Sequence, residues 1–363
     1  MLALLGAAPL AALIRGFGRR VPPSAAMRVL VIRPFWYLQL LVPLLAALGL
    51  IGAIMGLPFG AAGMVGRSAM AFGAVIFAVT MSFGYLGSRR LVVRRREIAI
   101  QNLPAALVGL RIVQVSDLHV GPHTSRRYLA RIVRSIVDAD AELIAITGDQ
   151  VDDFPHDVEH FAAAFGELSA RLGVFVVPGN HDVYAGWSDV RRAMERLPFT
   201  ILVNEARPIE RNGTRFWIVG TGDPAGRYWS RDGGAGAAPD IGRALASVRN
   251  GEFVLALAHN PVLWPPLAER GVQLTLSGHT HHGQFAIPSL GWSLVSPFVE
   301  HAMGLYEASG SVLYVHPGTN YWGIPFRIGA PPEVTVLTLR QATTPQSESE
   351  PRILEGRNGR TDA

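Results

Sequence analysis

Two hydrophobic patterns divide this chain. Through Leu86 the apolar residues come in long runs, whereas beyond it they come in short runs separated by polar clusters. Phe35 to Met55 is apolar but for Gln39, which is long enough to cross a bilayer core of about 30 Å. Ser68 to Leu86 reads the same way. The Gly-rich stretch Gly56 to Gly66 between them is too short for a domain, so the pair predicts a transmembrane helical hairpin. No polar face breaks either run, which argues against core helices of a soluble domain. Met1 to Ile14 is also apolar, but about 14 helical residues reach only about 21 Å. It is expected to be an interfacial or partial segment. A cleaved signal peptide is disfavoured because no basic stretch precedes it.

After the hairpin, residues 1–96 being assigned to the membrane region, the pattern changes to strands and helices in alternation. Glu97 to Gln101 alternates and 102–109 connects it to a buried strand, Arg111 to Ser116. Leu129, Ile132, Val133 and Ile136 line one face of a helix over 126–137. Further strands are expected at 143–147, 174–177, 216–219, 253–258 and 273–276, a helix over 158–172, and closing strands at 312–315 and 333–339. Alternation of this kind predicts a layered α/β domain over 97–340. Gly226 to Pro239 reads as a mobile surface loop. Residues 341–363, polar and poor in aromatics, read as a disordered tail.

Composition supports this division. The 363 residues are 49% hydrophobic, an excess that lies in the first third. Arg15, Arg19, Arg20, Arg28 and Arg33 precede the first span, and Arg89, Arg90, Arg94, Arg95 and Arg96 follow the second. By the positive-inside rule both flanks face the cytoplasm, so a multi-pass membrane protein with a cytoplasmic C-terminal domain is expected. The net charge of +5 is carried by arginine without lysine and comes with no nucleic-acid-binding motif, so no nucleic-acid partner is expected. With no cysteine, disulfides and thiolate metal ligands are excluded.

The chemistry lies in five polar clusters, each at the end of an apolar run: Asp117-Leu118-His119, Gly148-Asp149, Gly179-Asn180-His181-Asp182, Ala258-His259-Asn260 and Gly278-His279-Thr280-His281. Strands that repeatedly deliver Asp, Asn and His to loops gather oxygen and nitrogen donors along one sheet edge. Two adjacent divalent ions need a bridging carboxylate, further hard or borderline ligands, and an open position for water and phosphate. Asp149 is the natural bridge, Asn180 offers an amide oxygen, and His119, His259, His279 and His281 offer imidazoles beside Asp117. The donor types suit manganese, iron and zinc alike.

These clusters resemble the calcineurin-like metallophosphoesterase superfamily, whose pattern is D-x-H, G-D-x-x-D, G-N-H-D/E, a lone H and G-H-x-H. The resemblance runs from Val113 to His281. With the hairpin, Gly278 to Gln284, and the tail Pro325-Phe326-Arg327-Ile328-Gly329, it extends to the membrane-attached YkuE- or YaeI-like phosphodiesterases. It implies a sandwich of mixed sheets flanked by helices. It also implies that Asp117, His119, Asp149 and His281 hold one metal ion while Asp149, Asn180, His259 and His279 hold the other. His181 is then the imidazole that stabilises the transition state or protonates the leaving oxygen, with Asp152 as the carboxylate orienting it. A metal-bridging hydroxide would attack phosphorus in line. His282 departs from the pattern, which usually has Gly there.

Arg327 and Asn320 are candidates to meet a phosphate at the cleft rim, and the loop His316 to Asn320 is expected near it. Asp182 is read either as a family residue or as the cap of a helix starting near Ser188. His123, His156, His160 and His301 have no partners in sequence and read as ordinary histidines. The function that follows is a membrane-anchored, dinuclear-metal phosphoesterase acting on a phosphodiester or pyrophosphate, with a phosphorylated small molecule or lipid-linked phosphate as substrate. The alternative is a non-catalytic membrane scaffold or sensor that binds a phosphorylated partner. A channel or transporter is disfavoured because the two spans carry no internal charge between Phe35 and Met55 or between Ser68 and Leu86.

Overall fold

A computed structural model of the chain describes residues 24–121, 124–152, 154–228, 236–342 and 352–353. The chain divides into two compact units, one running to Leu86 and including Gly323–Phe326, the other comprising Gly87–Trp322 and the residues from Arg327 onward. The apolar segment expected over 1–14 lies outside the described residues.

In the first unit, α1 (Arg33–Gly56) and α2 (Ala62–Ser88) are both long and apolar enough to cross a membrane. Their outer surfaces carry Leu50, Ile54, Phe72 and Phe83 exposed, which a water-soluble helix pair would cover. Glycines set the spacing between them. A Cβ on Gly52 would crowd Ala69 and the Val65 carbonyl, and one on Gly66 would crowd the Gly49 carbonyl, so small residues allow the backbones to approach.

The second unit is two sheets packed face to face. Its first sheet contains β1 (Val92–Ile100), β2 (Arg111–Val115), β3 (Leu143–Thr147), β4 (Val174–Val177), β5 (Thr200–Ile201) and β14 (Glu333–Gln341), in the order β1-β14-β2-β3-β4-β5. β2 to β5 run parallel to one another, and β14 enters antiparallel to β2. The second sheet contains β6 (Glu205–Arg211), β7 (Thr214–Gly220), β8 (Val254–Leu257), β9 (Leu274–Ser277), β12 (Gly304–Ala308), β13 (Ser311–Val315) and β15 (Arg352–Ile353), in the order β15-β12-β13-β9-β8-β7-β6. A separate two-stranded ribbon, β10 (Ala286–Ile287) with β11 (Trp292–Ser293), follows β9.

Strand alternation decides which residues fill which layer. Ile112, Leu143, Phe175 and Val177 point from the first sheet into the space between the sheets, where they meet Phe216, Leu255, Leu257, Leu274 and Leu276 of the second. The intervening Val113, Val115, Ile144, Ile146 and Val176 point the other way. They pack on α3 (Arg126–Asp138), α4 (Val158–Phe165) and α5 (Asn180–Met194) through residues such as Ile132, Phe161 and Val190. On the far side of the second sheet, Val219, Val254 and Ala256 pack on α6 (Ile241–Leu245) and on Leu263 and Leu267 beside and within α7 (Trp264–Ala268). Buried Gln114 ties the layers together, its Nε2 donating to Thr147 Oγ1 at 2.9 Å and to the Ser277 carbonyl at 2.9 Å.

Several boundaries differ from those expected. The limit placed at residue 96 falls inside β1, because Arg94, Arg95 and Arg96 belong to a strand paired with β14 and Arg94 binds buried Glu333 at 2.7 Å. The helix over 158–172 ends at Phe165, before Gly166. The ends of the 226–239 stretch are packed rather than loose: Gly226 lies in a 3-10 turn and the Ala237 carbonyl accepts from Asp223 N–H at 2.8 Å. In the expected tail, Arg352–Ile353 pair with β12.

Candidate metal centre

The five polar clusters lie at the ends of parallel strands, so one edge of the sandwich collects them. Asp117 and His119 follow β2, Asp149 follows β3, Asn180 and His181 open α5 after β4, His259 follows β8, and His279 and His281 follow β9. Three glycines make room for this convergence. A Cβ on Gly148 would fall on the His259 ring, one on Gly179 would fall on the Asp149 carboxylate, and one on Gly278 would fall on Ser116 and Asp117. The donors themselves bend the backbone as well: Asp117, His119, Asp149, His279 and His281 all have positive φ, between 40° and 74°. Non-glycine residues accept that conformation only where the surroundings impose it.

Two donor sets meet at Asp149. In the first, His119 Nε2 and His281 Nε2 are 3.0 Å apart, with Asp117 Oδ1 3.2 Å from His281 Nε2 and Asp149 Oδ2 3.6 Å from His119 Nε2. In the second, Asn180 Oδ1 lies 2.8 Å from His279 Nδ1 and 3.1 Å from His259 Nε2, while Asp149 Oδ2 lies 3.3 Å from His259 Nε2. The other Asp149 oxygen, Oδ1, accepts the His181 amide at 2.8 Å, at the start of α5. Asp149 is thereby pinned by one oxygen and offers the other to both sets.

This donor set fits divalent metal ions. Two facing imidazole nitrogens share one proton at most, so 3.0 Å between them is a place for a cation. His119 Nδ1 is buried without a hydrogen-bond partner and lies 3.5 Å from Asp152 Oδ1. Among the described residues, Asp117-His119-His281 and Asp117-Asp149-His259 each bring their donor atoms within 4.8 Å of one another. His259 Nδ1 is 2.7 Å from the Thr147 carbonyl, which only accepts, so this nitrogen carries the proton and Nε2 faces the site.

Charge is finely balanced here. Burial opposes ionisation of Asp149, yet His259 and His181 hold its carboxyl well below the usual range. Burial likewise opposes charging of His259, but Asp149 and Asp117 hold it well above 6.5. Burial and the neighbouring His259 push His279 down to about 4, and burial with His119 and Arg327 holds His281 well below 6.5. Both are thus neutral imidazoles at neutral pH.

Residues 110–283 match the family model described as calcineurin-like phosphoesterase. Residues 110–283 therefore form a domain of that family. It is 34% identical over 255 residues to a Danio rerio transmembrane protein with a metallophosphoesterase domain, covering 68% of this chain and 56% of that protein. It is 33% identical over 257 residues to an uncharacterised Helicobacter pylori metallophosphoesterase, covering 70% and 65%. With the uncharacterised metallophosphoesterase YkuE of Bacillus subtilis it shares 28% over 282 residues, covering 74% and 94%. The chain thus spans less than two thirds of the length of the first two relatives. The domain is that of a metal-dependent phosphoester hydrolase.

Around this phosphoesterase centre some expected residues take other places. Arg327 does not reach the rim: it is 1% exposed, and its guanidinium donates to the carbonyls of His281 at 2.9 Å, Pro317 at 2.7 Å and Asn320, with Nη2 3.0 Å from His281 Nδ1. Asn320 is buried as well, its Nδ2 donating to the Leu118 carbonyl at 2.8 Å. Both support the Asp117–His119 turn and His281 from behind. Thr319 joins them, its amide donating to the Ser116 carbonyl at 2.8 Å. His316 is buried, with Nδ1 accepting from Gly318 N–H.

His181 Nδ1 lies 2.7 Å from the main-chain carbonyl of Asp152, and a ring nitrogen of His181 lies within 4.8 Å of an Asp152 carboxylate oxygen. The helix expected near Ser188 begins at Asn180; Gly186, at φ 111°, kinks it and disguises its start. Asp182 caps that start through the Gly179 amide at 2.8 Å and also accepts from the amides of Asp149, Gln150 and Val151. Burial and the charge of Asp149 push its pKa up to about 7. Three flanking groups escaped the sequence reading: Tyr184 and Trp322, whose rings meet His181 edge-on at 5.5 and 5.7 Å, and Gln284, which exchanges two hydrogen bonds with the Trp322 backbone. His282 is half-buried, and burial lowers its pKa to about 4. His301 is buried against Trp264 and Tyr306. His123 lies outside the described residues.

Proposed function

We propose that this chain is a membrane-anchored phosphoesterase that holds two divalent ions and cleaves a phosphodiester or pyrophosphate bond, with a lipid-linked phosphate as its substrate. The observation that carries this reading is the pair of donor sets sharing Asp149 Oδ2, which lies 3.6 Å from His119 Nε2 and 3.3 Å from His259 Nε2. We assign Asp117, His119, Asp149 and His281 to one ion and Asp149, Asn180, His259 and His279 to the other, with manganese, iron and zinc all compatible. Bound ions supply Lewis-acid activation of the phosphoryl group and of the attacking water.

The chain's own residues orient the reaction. Asp149, pinned by the His181 amide, keeps its free oxygen between the two sets. His181, anchored through Nδ1–H to the Asp152 carbonyl, is the proton donor: as water oxygen bonds to phosphorus, giving up one proton to solvent, and the ester P–O bond breaks, the imidazolium proton passes to the leaving oxygen. The Asp152 carboxylate balances that charge. Anchoring rests on α1 and α2, whose length and apolar surfaces suit a bilayer, and on the relative named as a transmembrane protein. Arginines on both flanks of the pair favour a cytoplasmic phosphoesterase domain.

The test is hydrolysis of bis-p-nitrophenyl phosphate, p-nitrophenyl phosphate and UDP-diacylglucosamine by the full chain in lipid nanodiscs with manganese. Asp149→Ala serves as the control. Turnover that is lost in the variant is expected, with the diester or pyrophosphate preferred over the monoester. Two bound ions without turnover of any phosphoester would favour the scaffold reading.

A further inference from the structure

The segment that leaves the metal centre after Gly283 carries no Asp, Glu, Lys or Arg until Glu300. Along it Ile287, Leu290, Leu294 and Phe298 are 37%, 73%, 54% and 81% exposed. Elsewhere in the described part of the phosphoesterase unit, large exposed apolar residues are scattered singly, as Val93, Val108, Val137, Tyr228 and Val262, while exposed Trp322 borders this segment through Gln284. Four within twelve positions is a patch, and such patches mark a partner.

The segment is built to present that patch. β10 and β11 pair, with Ile287 opposite Trp292. Leu294 N–H donates to the Phe285 carbonyl at 2.9 Å, and Ser293 and Ser296 hydroxyls meet at 2.8 Å. Its root is the metal centre itself: Gly283, two residues from His281, packs so closely on Leu294 and Val295 that a Cβ would be crowded, and Gln284 binds the backbone of Trp322, whose indole meets His181. The chain also names the occupant. Only Arg89–Leu91 separates α2 from β1, so the chain of an anchored domain begins its first strand within a few residues of the end of the span. A charge-free apolar surface with Trp292 among its side chains suits the boundary between headgroups and acyl chains.

We infer that residues 284–299 dock into the lipid bilayer surface and bring a phosphate carried on a membrane lipid to the metal centre. This rests on the membrane-anchored reading above and narrows its substrate to one held in the bilayer.

The sequence contains no cysteine, so single cysteines label uniquely. Leu294→Cys and Phe298→Cys, with Val137→Cys and Val262→Cys as exposed positions outside the segment, carry an environment-sensitive fluorophore in the full chain, reconstituted in phosphatidylethanolamine–phosphatidylglycerol vesicles. With a quencher placed on the upper acyl chain, emission at 294 and 298 is expected to fall by about twofold or more, with 137 and 262 unaffected, as for groups buried about 5 to 10 Å into the interface. Equal quenching at all four sites, or none at 294 and 298, overturns the inference. So does self-quenching between copies at 294 without lipid quenching, which would make a second copy the occupant. Hydrolysis of bis-p-nitrophenyl phosphate on the same samples separates the two claims: quenching without turnover leaves the docking standing and sinks the enzyme reading, and turnover without quenching does the reverse.

Discussion

The two donor sets that share Asp149 are supported in opposite ways. Behind His259 stands a carbonyl, Thr147 O at 2.7 Å, which fixes the proton on Nδ1 and leaves Nε2 facing the site. Behind His281 stands a cation, the Arg327 guanidinium, which lies 3.0 Å from Nδ1 and also binds carbonyls from three separate turns. The carbonyl fixes the ring's orientation, and against burial Asp149 and Asp117 hold this histidine protonated before metal arrives. Burial, with His119 and then the guanidinium, keeps its histidine neutral. One set must therefore shed a proton to bind, whereas in the other a clamp far away in sequence, which only donates, leaves the ring proton of His281 on Nε2 toward Asp117, where a metal ion must displace it.

The largest break in this comparison is its shared member. Asp149→Ala should reduce hydrolysis of bis-p-nitrophenyl phosphate by about a thousandfold or more in steady-state assays, because both sets lose a ligand. Next, Arg327→Met should destabilise the domain by about 3 kcal/mol or more in chemical denaturation, since the Pro317, Asn320 and Ala330 carbonyls lose their buried donor. It should also weaken one metal equivalent more than the other in titration calorimetry. Asp182→Ala should cost about 2 kcal/mol by the same denaturation assay, because the amides of Asp149, Gln150, Val151 and Gly179 lose their acceptor.

The smallest effect is on pH. At neutral pH His259 is charged and His279, at about 4, is not, so metal binding should release about one proton from His259, read from calorimetry in buffers of different ionisation enthalpy. Affinity should rise with pH until His259 is deprotonated. The sign reverses for the metal-free fold. The raised pKa of His259 contributes stability that is fully present below about 6.5 and is lost as pH rises through its folded value. The lowered pKa of Asp149 contributes stability present above about 4 and lost as pH falls through its folded value.

The donors were legible in the sequence because each follows a buried apolar run and parallel strands deliver run ends to one edge. The two apolar helices were legible because nothing polar interrupts them. What stayed hidden has particular causes. β6 is an edge strand carrying Glu205, Arg207, Glu210 and Arg211, so it lacks an apolar alternation. The start of α5 was masked by Gly186. Arg327 looked like a phosphate ligand because a sequence does not show that carbonyls near residues 281, 317 and 330 close around it. Asp182 stayed open between a family residue and a cap because its bonds to 149–151 come from another strand's turn.

The most direct test of the shared Asp149 is the number of ions bound. Full chain loaded with manganese, freed of excess and measured by elemental analysis, should carry about two ions, the number the two donor sets provide for. Asn180→Ala should keep one of them, and Asp149→Ala should keep neither at the same free metal concentration. A single ion per chain that survives in Asp149→Ala would contradict the account.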